Sequence, residues 1–183
     1  MTSIQYIELQ NNQLTSLGKF LPERSCLYGW YGGCYYISAL NISLENNQLA
    51  SLPENIGKMG ISSISLHHNK LTTLPESFGQ SMYYGTQIMD LSYNKLTTLP
   101  ESFSGFVSLR TLDLTNNELA RLPRDFGKLE NLETLKLYTN QLTYLPESFG
   151  SLSKLRSLDL FSNKLGTLPS SFGNLTNLED LDL

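Results

Sequence analysis

Cysteine, basic charge and long apolar runs are all in short supply, and each shortage removes a class of protein. Two cysteines, Cys26 and Cys34, stand in a chain of 183 residues. They are too few for a disulfide-stapled fold. Both lie in one irregular segment, so free thiols in a reducing compartment are expected. A Cys26–Cys34 disulfide would form only in an oxidising one. Lys and Arg total 13 against 17 Asp and Glu, a formal net charge of −4. That balance argues against a general nucleic-acid binder, which needs a basic surface to neutralise phosphates. It argues equally against a polybasic membrane anchor. No stretch approaches the roughly 18 continuous apolar residues of a membrane span. The start, Met1-Thr2-Ser3-Ile4-Gln5-Tyr6-Ile7-Glu8, lacks the basic end and apolar stretch of a secretory signal.

Chemistry-bearing motifs are missing as well. There is no phosphate-binding G-x-x-x-x-G-K-[ST], no H-E-x-x-H and no G-x-S-x-G. The two histidines, His67 and His68, stand near Glu45. Neighbours on a strand face opposite ways, so the two are not expected to form a ligand pair. No third ligand or orienting partner is evident, and no catalytic residue, metal or cofactor is expected. Asn41-Ile42-Ser43 and Asn174-Leu175-Thr176 fit the glycosylation sequon, which matters only in a secreted protein.

What the chain does have is an internal repeat. Asn12, Asn47, Asn69, Asn94, Asn117, Asn140 and Asn163 anchor seven units, the last four at a constant spacing of 23. Three residues before each anchor comes Leu9, Leu44, Leu66, Leu91, Leu114, Leu137 or Leu160. Five before it comes Ile7, Ile42, Ile64, Met89, Leu112, Leu135 or Leu158. Leucines recur two and five residues after it, and six of the 7 prolines directly follow the last of these. The unit reads L-x-x-L-x-L-x-x-N-x-L-x-x-L-P-x-x-F-G-x-L. An eighth begins at Leu178, Leu181 and Leu183.

Each column has a physical reason. The L-x-L centre alternates with period two, so it predicts a short strand with one buried face. Copies stacked side by side make a parallel sheet. The asparagine amide both donates and accepts, so it can satisfy backbone groups at the turn, and in register these amides should form a ladder. The proline sets φ and stops strand pairing on the return. Phe78, Phe103, Phe126, Phe149 and Phe172 should fill the outer side of the core. Gly79, Gly127, Gly150 and Gly173 follow them and are expected to permit a tight turn.

This pattern resembles the leucine-rich-repeat (LRR) family over nearly the whole chain. The 23-residue unit with L-P-x-x-F-G is similar to the intracellular type of Ras-pathway scaffolds and plant Ras-group-related LRR proteins. The resemblance implies one α/β-type solenoid domain over residues 1–183. It would be a horseshoe with short parallel strands on the concave face and turns, loops or short helical or 3-10 segments on the convex face. It also implies protein partners and no enzymatic activity in the repeats. A solenoid end exposes apolar edges unless capped, so a longer protein, or a module completed by a partner, is expected.

Two places depart from the frame. The segment of about 18–38 adds 12 residues to the first interval and holds Cys26, Tyr28, Trp30, Tyr31, Cys34, Tyr35 and Tyr36. It reads as an aromatic binding loop, as an insertion packed on the convex side, or as a degenerate repeat. Around Ser81-Met82-Tyr83-Tyr84-Gly85 the third unit carries two extra residues, expected on the convex face.

Residues between the buried leucines should form the concave surface. One column is acidic, with Asp90, Asp113, Asp159 and Asp182 interrupted by Lys136. It reads either as a surface for a partner's basic segment or as solvated strand positions. Tyr138 and Phe161 fall on adjacent strands, and with Tyr93 and Lys136 they form the favoured partner site. Edge packing at the solenoid end is the competing reading. Function is therefore expected to be that of a cytoplasmic protein-interaction module or scaffold. The alternatives are the recognition domain of a secreted bacterial effector or of an extracellular receptor.

Overall fold

Alternation in the L-x-L centres produces three-residue strands, and the repeat brings them side by side. The computed structural model describes residues 5–18, 26–28, 34–36, 40–80 and 85–183. Ten strands are formed among them: β1 (Tyr6–Glu8), β2 (Cys26–Tyr28), β3 (Cys34–Tyr36), β4 (Leu40–Ser43), β5 (Ile61–Ser65), β6 (Ile88–Asp90), β7 (Thr111–Asp113), β8 (Thr134–Lys136), β9 (Ser157–Asp159) and β10 (Asp180–Asp182). Eight make one open parallel sheet in the order β1-β4-β5-β6-β7-β8-β9-β10. Their central residues run in register from Ile7 through Ile42, Ile64, Met89, Leu112, Leu135 and Leu158 to Leu181. All but Leu181 are buried.

The return path of each coil explains how so short a unit closes. Pro53, Pro100, Pro146 and Pro169 hold φ between −64° and −73° and open 3-10 turns at Glu54–Lys58, Glu101–Gly105, Glu147–Ser151 and Ser170–Asn174. A fifth turn spans Phe126–Lys128. Phe78, Phe103, Phe126 and Phe149 are fully buried behind the sheet, and Phe172 is partly so. Phe126 and Phe149 stack with centroids 6.1 Å apart, and Phe149 and Phe172 with centroids 6.3 Å apart.

The asparagines bind one coil to the next. Asn117 Nδ2 donates to Leu114 O of its own coil at 3.1 Å and to Leu91 O of the preceding coil at 3.0 Å. Its Oδ1 accepts from Leu96 N, also in the preceding coil, at 3.0 Å. Asn47, Asn69, Asn94, Asn140 and Asn163 repeat this arrangement. Asn12, in the first coil, is exposed and donates locally to Leu9 O and Gln10 O.

The glycines have a different role from the one expected. Of the four in the F-G column, only Gly79 has a positive φ, at 107°. Gly127 and Gly150 are needed for proximity, not for a turn. A Cβ on Gly127 would meet Ser148 O at 1.8 Å, and one on Gly150 would meet Ser171 O at 2.2 Å. Nothing approaches Gly173 within 4 Å. The same serines tie the coils together: Ser77, Ser102, Ser148 and Ser171 donate through Oγ to Glu54 O, Phe78 O, Arg124 O and Glu147 O of the coil before.

In the segment of about 18–38, β2 and β3 form an antiparallel pair with each other and neither joins the parallel sheet. Cys34 stands opposite Tyr28, and Cys26 opposite Tyr36. The readings placed on Trp30 and Tyr31, and on Ser81–Tyr84, lie outside the described residues.

Candidate functional site

The exposed face of the sheet is built from residues on either side of each buried strand centre. The acidic column is in register across it: Asp90 beside Asp113, then Lys136, Asp159 and Asp182. Three of these carboxylates are engaged locally. Asp90 Oδ1 accepts from Ser92 N and Ser92 Oγ, Asp113 Oδ1 from Thr115 N, and Asp159 Oδ1 from Phe161 N, at 2.7–3.0 Å. An aspartate that caps the amide two residues on stabilises the strand exit. The column therefore has a structural role beside any role in binding. Lys136 interrupts the run of like charge, with its Nζ 3.3 Å from Asp113 Oδ2. With its lysine half exposed to solvent, the pair contributes at most about 1 kcal/mol.

Tyr138 and Phe161 meet just beyond the ends of β8 and β9. Their rings stack with centroids 5.7 Å apart and planes inclined by 15°. Tyr138 is 36% exposed and Phe161 48%. Phe161 also lines a hollow of about 440 Å³ with Leu160, Leu165, Leu168 and Leu183, so part of its packing belongs to the last coils.

Tyr93 belongs to a different pair. It stacks on His68, centroids 4.2 Å apart, two coils away from Tyr138. Its place has a backbone cause. Asn11, Asn46, His68, Tyr93, Asn116, Thr139 and Ser162, each just before an anchor asparagine, all have φ between 53° and 61°. This left-handed turn ends the strand alternation at every coil.

The same turn overturns the expectation for the histidines. β5 stops at Ser65, and His68 has φ 54°, so the pair does not lie on a strand. His67 and His68 turn toward each other, with their Nδ1 atoms 2.8 Å apart. Among the described residues, however, no group of three or more His, Cys, Asp or Glu is placed to hold a metal.

Sequence reasoning also missed exposed apolar residues at the strand starts. Ile88 lies on the same face as Asp90 and Tyr6 on that face of β1, three strands away, and both are solvent-exposed. The signal was present in the alternation, since Tyr6 and Ile88 lie two residues before Glu8 and Asp90, which share their face. A further hollow, on the return side, is lined by Arg121, Arg124, Tyr144 and Glu147.

Comparison with known proteins agrees with this architecture. Family models described as leucine-rich repeat match residues 59–119, and those described as leucine-rich repeat region match 101–183. No curated relative matches the chain. Among solved structures, an LRR protein of Leptospira interrogans is 34% identical with a TM-score of 0.77, over 96% of this chain and 42% of that one. The LRR ectodomain of the plant membrane receptor kinase GASSHO1/SCHENGEN3 from Arabidopsis thaliana, in complex with Casparian strip integrity factor 2, is 33% identical with a TM-score of 0.68, over 79% of this chain and 18% of that one. This chain thus spans less than half the length of either neighbour. With the repeat frame, the asparagine-bridged coils and the parallel sheet all in agreement, the chain belongs to the leucine-rich-repeat family.

Proposed function

We propose that the chain is a protein-binding module and that a macromolecular partner docks on the exposed face of its sheet around Lys136, Tyr138 and Phe161. The observation that carries this reading is the stacked, solvent-exposed Tyr138–Phe161 pair. Aromatic surface left in water is the material of interface anchors, because covering it releases hydration and costs little side-chain entropy. Asp90, Asp113 and Asp159 beside it favour a partner with a basic segment, since complementary charge speeds and orients docking. LRR proteins commonly bind other proteins, and nothing in the site calls for catalysis or a cofactor. A cytoplasmic scaffold is the preferred setting. The bacterial and plant-receptor neighbours support effector or receptor recognition as the second setting, with the same surface in use.

Affinity capture from lysate, quantified by mass spectrometry, tests the surface. The wild-type chain is compared with a Lys136→Ala, Tyr138→Ala, Phe161→Ala variant of unchanged circular dichroism. A partner held by the wild type and lost by the variant is expected. Equal recovery by both would remove this face from consideration.

A further inference from the structure

We propose that His67 and His68 form a cis-chelating site for a square-planar divalent ion, Cu(II), on the exposed face of the solenoid. The argument begins with the backbone. The left-handed turn at His68 brings side chains together that strand alternation would separate. Their Nδ1 atoms stand 2.8 Å apart, and the rings meet edge to face at 79°. His68 is held from its other side by the Tyr93 ring, nearly parallel at 14°. The pair is therefore within chelating distance, and an ion would replace the Nδ1–Nδ1 hydrogen bond by a small rotation of both rings.

The spacing suits one coordination geometry. With metal–nitrogen bonds of about 2.0 Å, two nitrogens 2.8 Å apart subtend roughly 90° at the ion. That is the cis angle of square-planar and tetragonal sites, which suit Cu(II) and Ni(II), and Cu(II) leads the divalent series in affinity. A tetrahedral ion would need the nitrogens about 3.3 Å apart and the turn opened accordingly. Binding requires the proton shared between the two Nδ1 atoms to move to Nε2 of its own ring. Each Nδ1 then offers a lone pair, and no net proton is released. The Glu45 carboxylate lies one coil back in the same column as His67, and its buried Oε2 has no hydrogen-bond partner. Its charge favours a cation nearby. Among the described residues no third side chain completes a set of ligands, so the remaining positions take water or a group from a bound protein.

The chain contains only 2 histidines, which makes the test clean. The intact chain is titrated with Cu(II) alone. Pulsed electron paramagnetic resonance then counts the equatorial imidazole nitrogens, and calorimetry gives the affinity. One ion held by two imidazoles is expected. His67→Ala and His68→Ala should each leave one imidazole and weaken binding at least about tenfold, since even outer-shell partners of metal ligands are worth 10-fold or more. Circular dichroism checks that both variants keep the fold. A wild-type spectrum with one imidazole or none, or single variants that bind like the wild type, would overturn the proposal.

Discussion

Asn117 is 5% exposed, and its amide engages three buried backbone groups in two coils. Replacing it with alanine leaves the Leu96 amide and two carbonyls without this partner, and should cost about 1–3 kcal/mol. Leu114→Ala, in a fully buried position, should cost about 2–5 kcal/mol by opening a cavity. Urea melts measure both; wild-type midpoints would contradict the burial described here. Thr139 runs the other way. A β-branched residue at φ 53° is strained, while Asn116 occupies the equivalent place without that cost. Thr139→Asn should therefore raise stability by about 1 kcal/mol, read as a higher urea midpoint. The asparagine column is visible in sequence because its spacing is regular. The left-handed residue before it is not, because Asn, His, Tyr, Thr and Ser share the place and only some of them announce that conformation. Period-two alternation therefore misplaces His67 and His68, which lie past the end of the strand.

At the scale of the element, coil-to-coil contact on the return side sets the stacking. Gly150→Ala places a carbon 2.2 Å from the Ser171 carbonyl oxygen, a backbone atom that cannot step aside. It should cost about 1–3 kcal/mol through overpacking. Gly173→Ala meets nothing within 4 Å and should be close to neutral in the same urea melts. Equal effects would show that the turn, not the neighbouring coil, demands glycine. The glycine column was plain in sequence, but its cause required the next coil in place. The turns at Glu147–Ser151 and Ser170–Asn174 are joined electrostatically too. Glu147 accepts from Ser170 N, Ser170 Oγ and Ser171 N at 3.0–3.2 Å. These bonds hold its carboxyl below the usual value of 4.5, the Ser170 backbone amide contributing most. A group whose pKa is lowered by folding stabilises above its unfolded value, and that contribution fades as pH falls through the folded one. Wild type should therefore lose stability relative to Glu147→Gln as pH drops below 4.5, and a difference independent of pH would contradict the assignment.

For the whole molecule, the repeat frame makes the fold legible in the sequence because every coil repeats one solution to the same burial problem. The partner surface is legible only as a set of columns. Register brings Tyr138 to Phe161 as neighbouring strands require, yet the backbone turn pairs Tyr93 with His68 instead. Aspartates that cap strand exits look the same in sequence as aspartates that await a basic partner. The most direct test of the account is site-specific photocrosslinking. A photoreactive side chain at position 138, on the exposed sheet face, is compared with one at Tyr144 in the return-side hollow, and both are irradiated with the captured partner. The account predicts a covalent adduct at 138 and none at 144. An adduct at 144 alone would move the binding surface to the return side and contradict it.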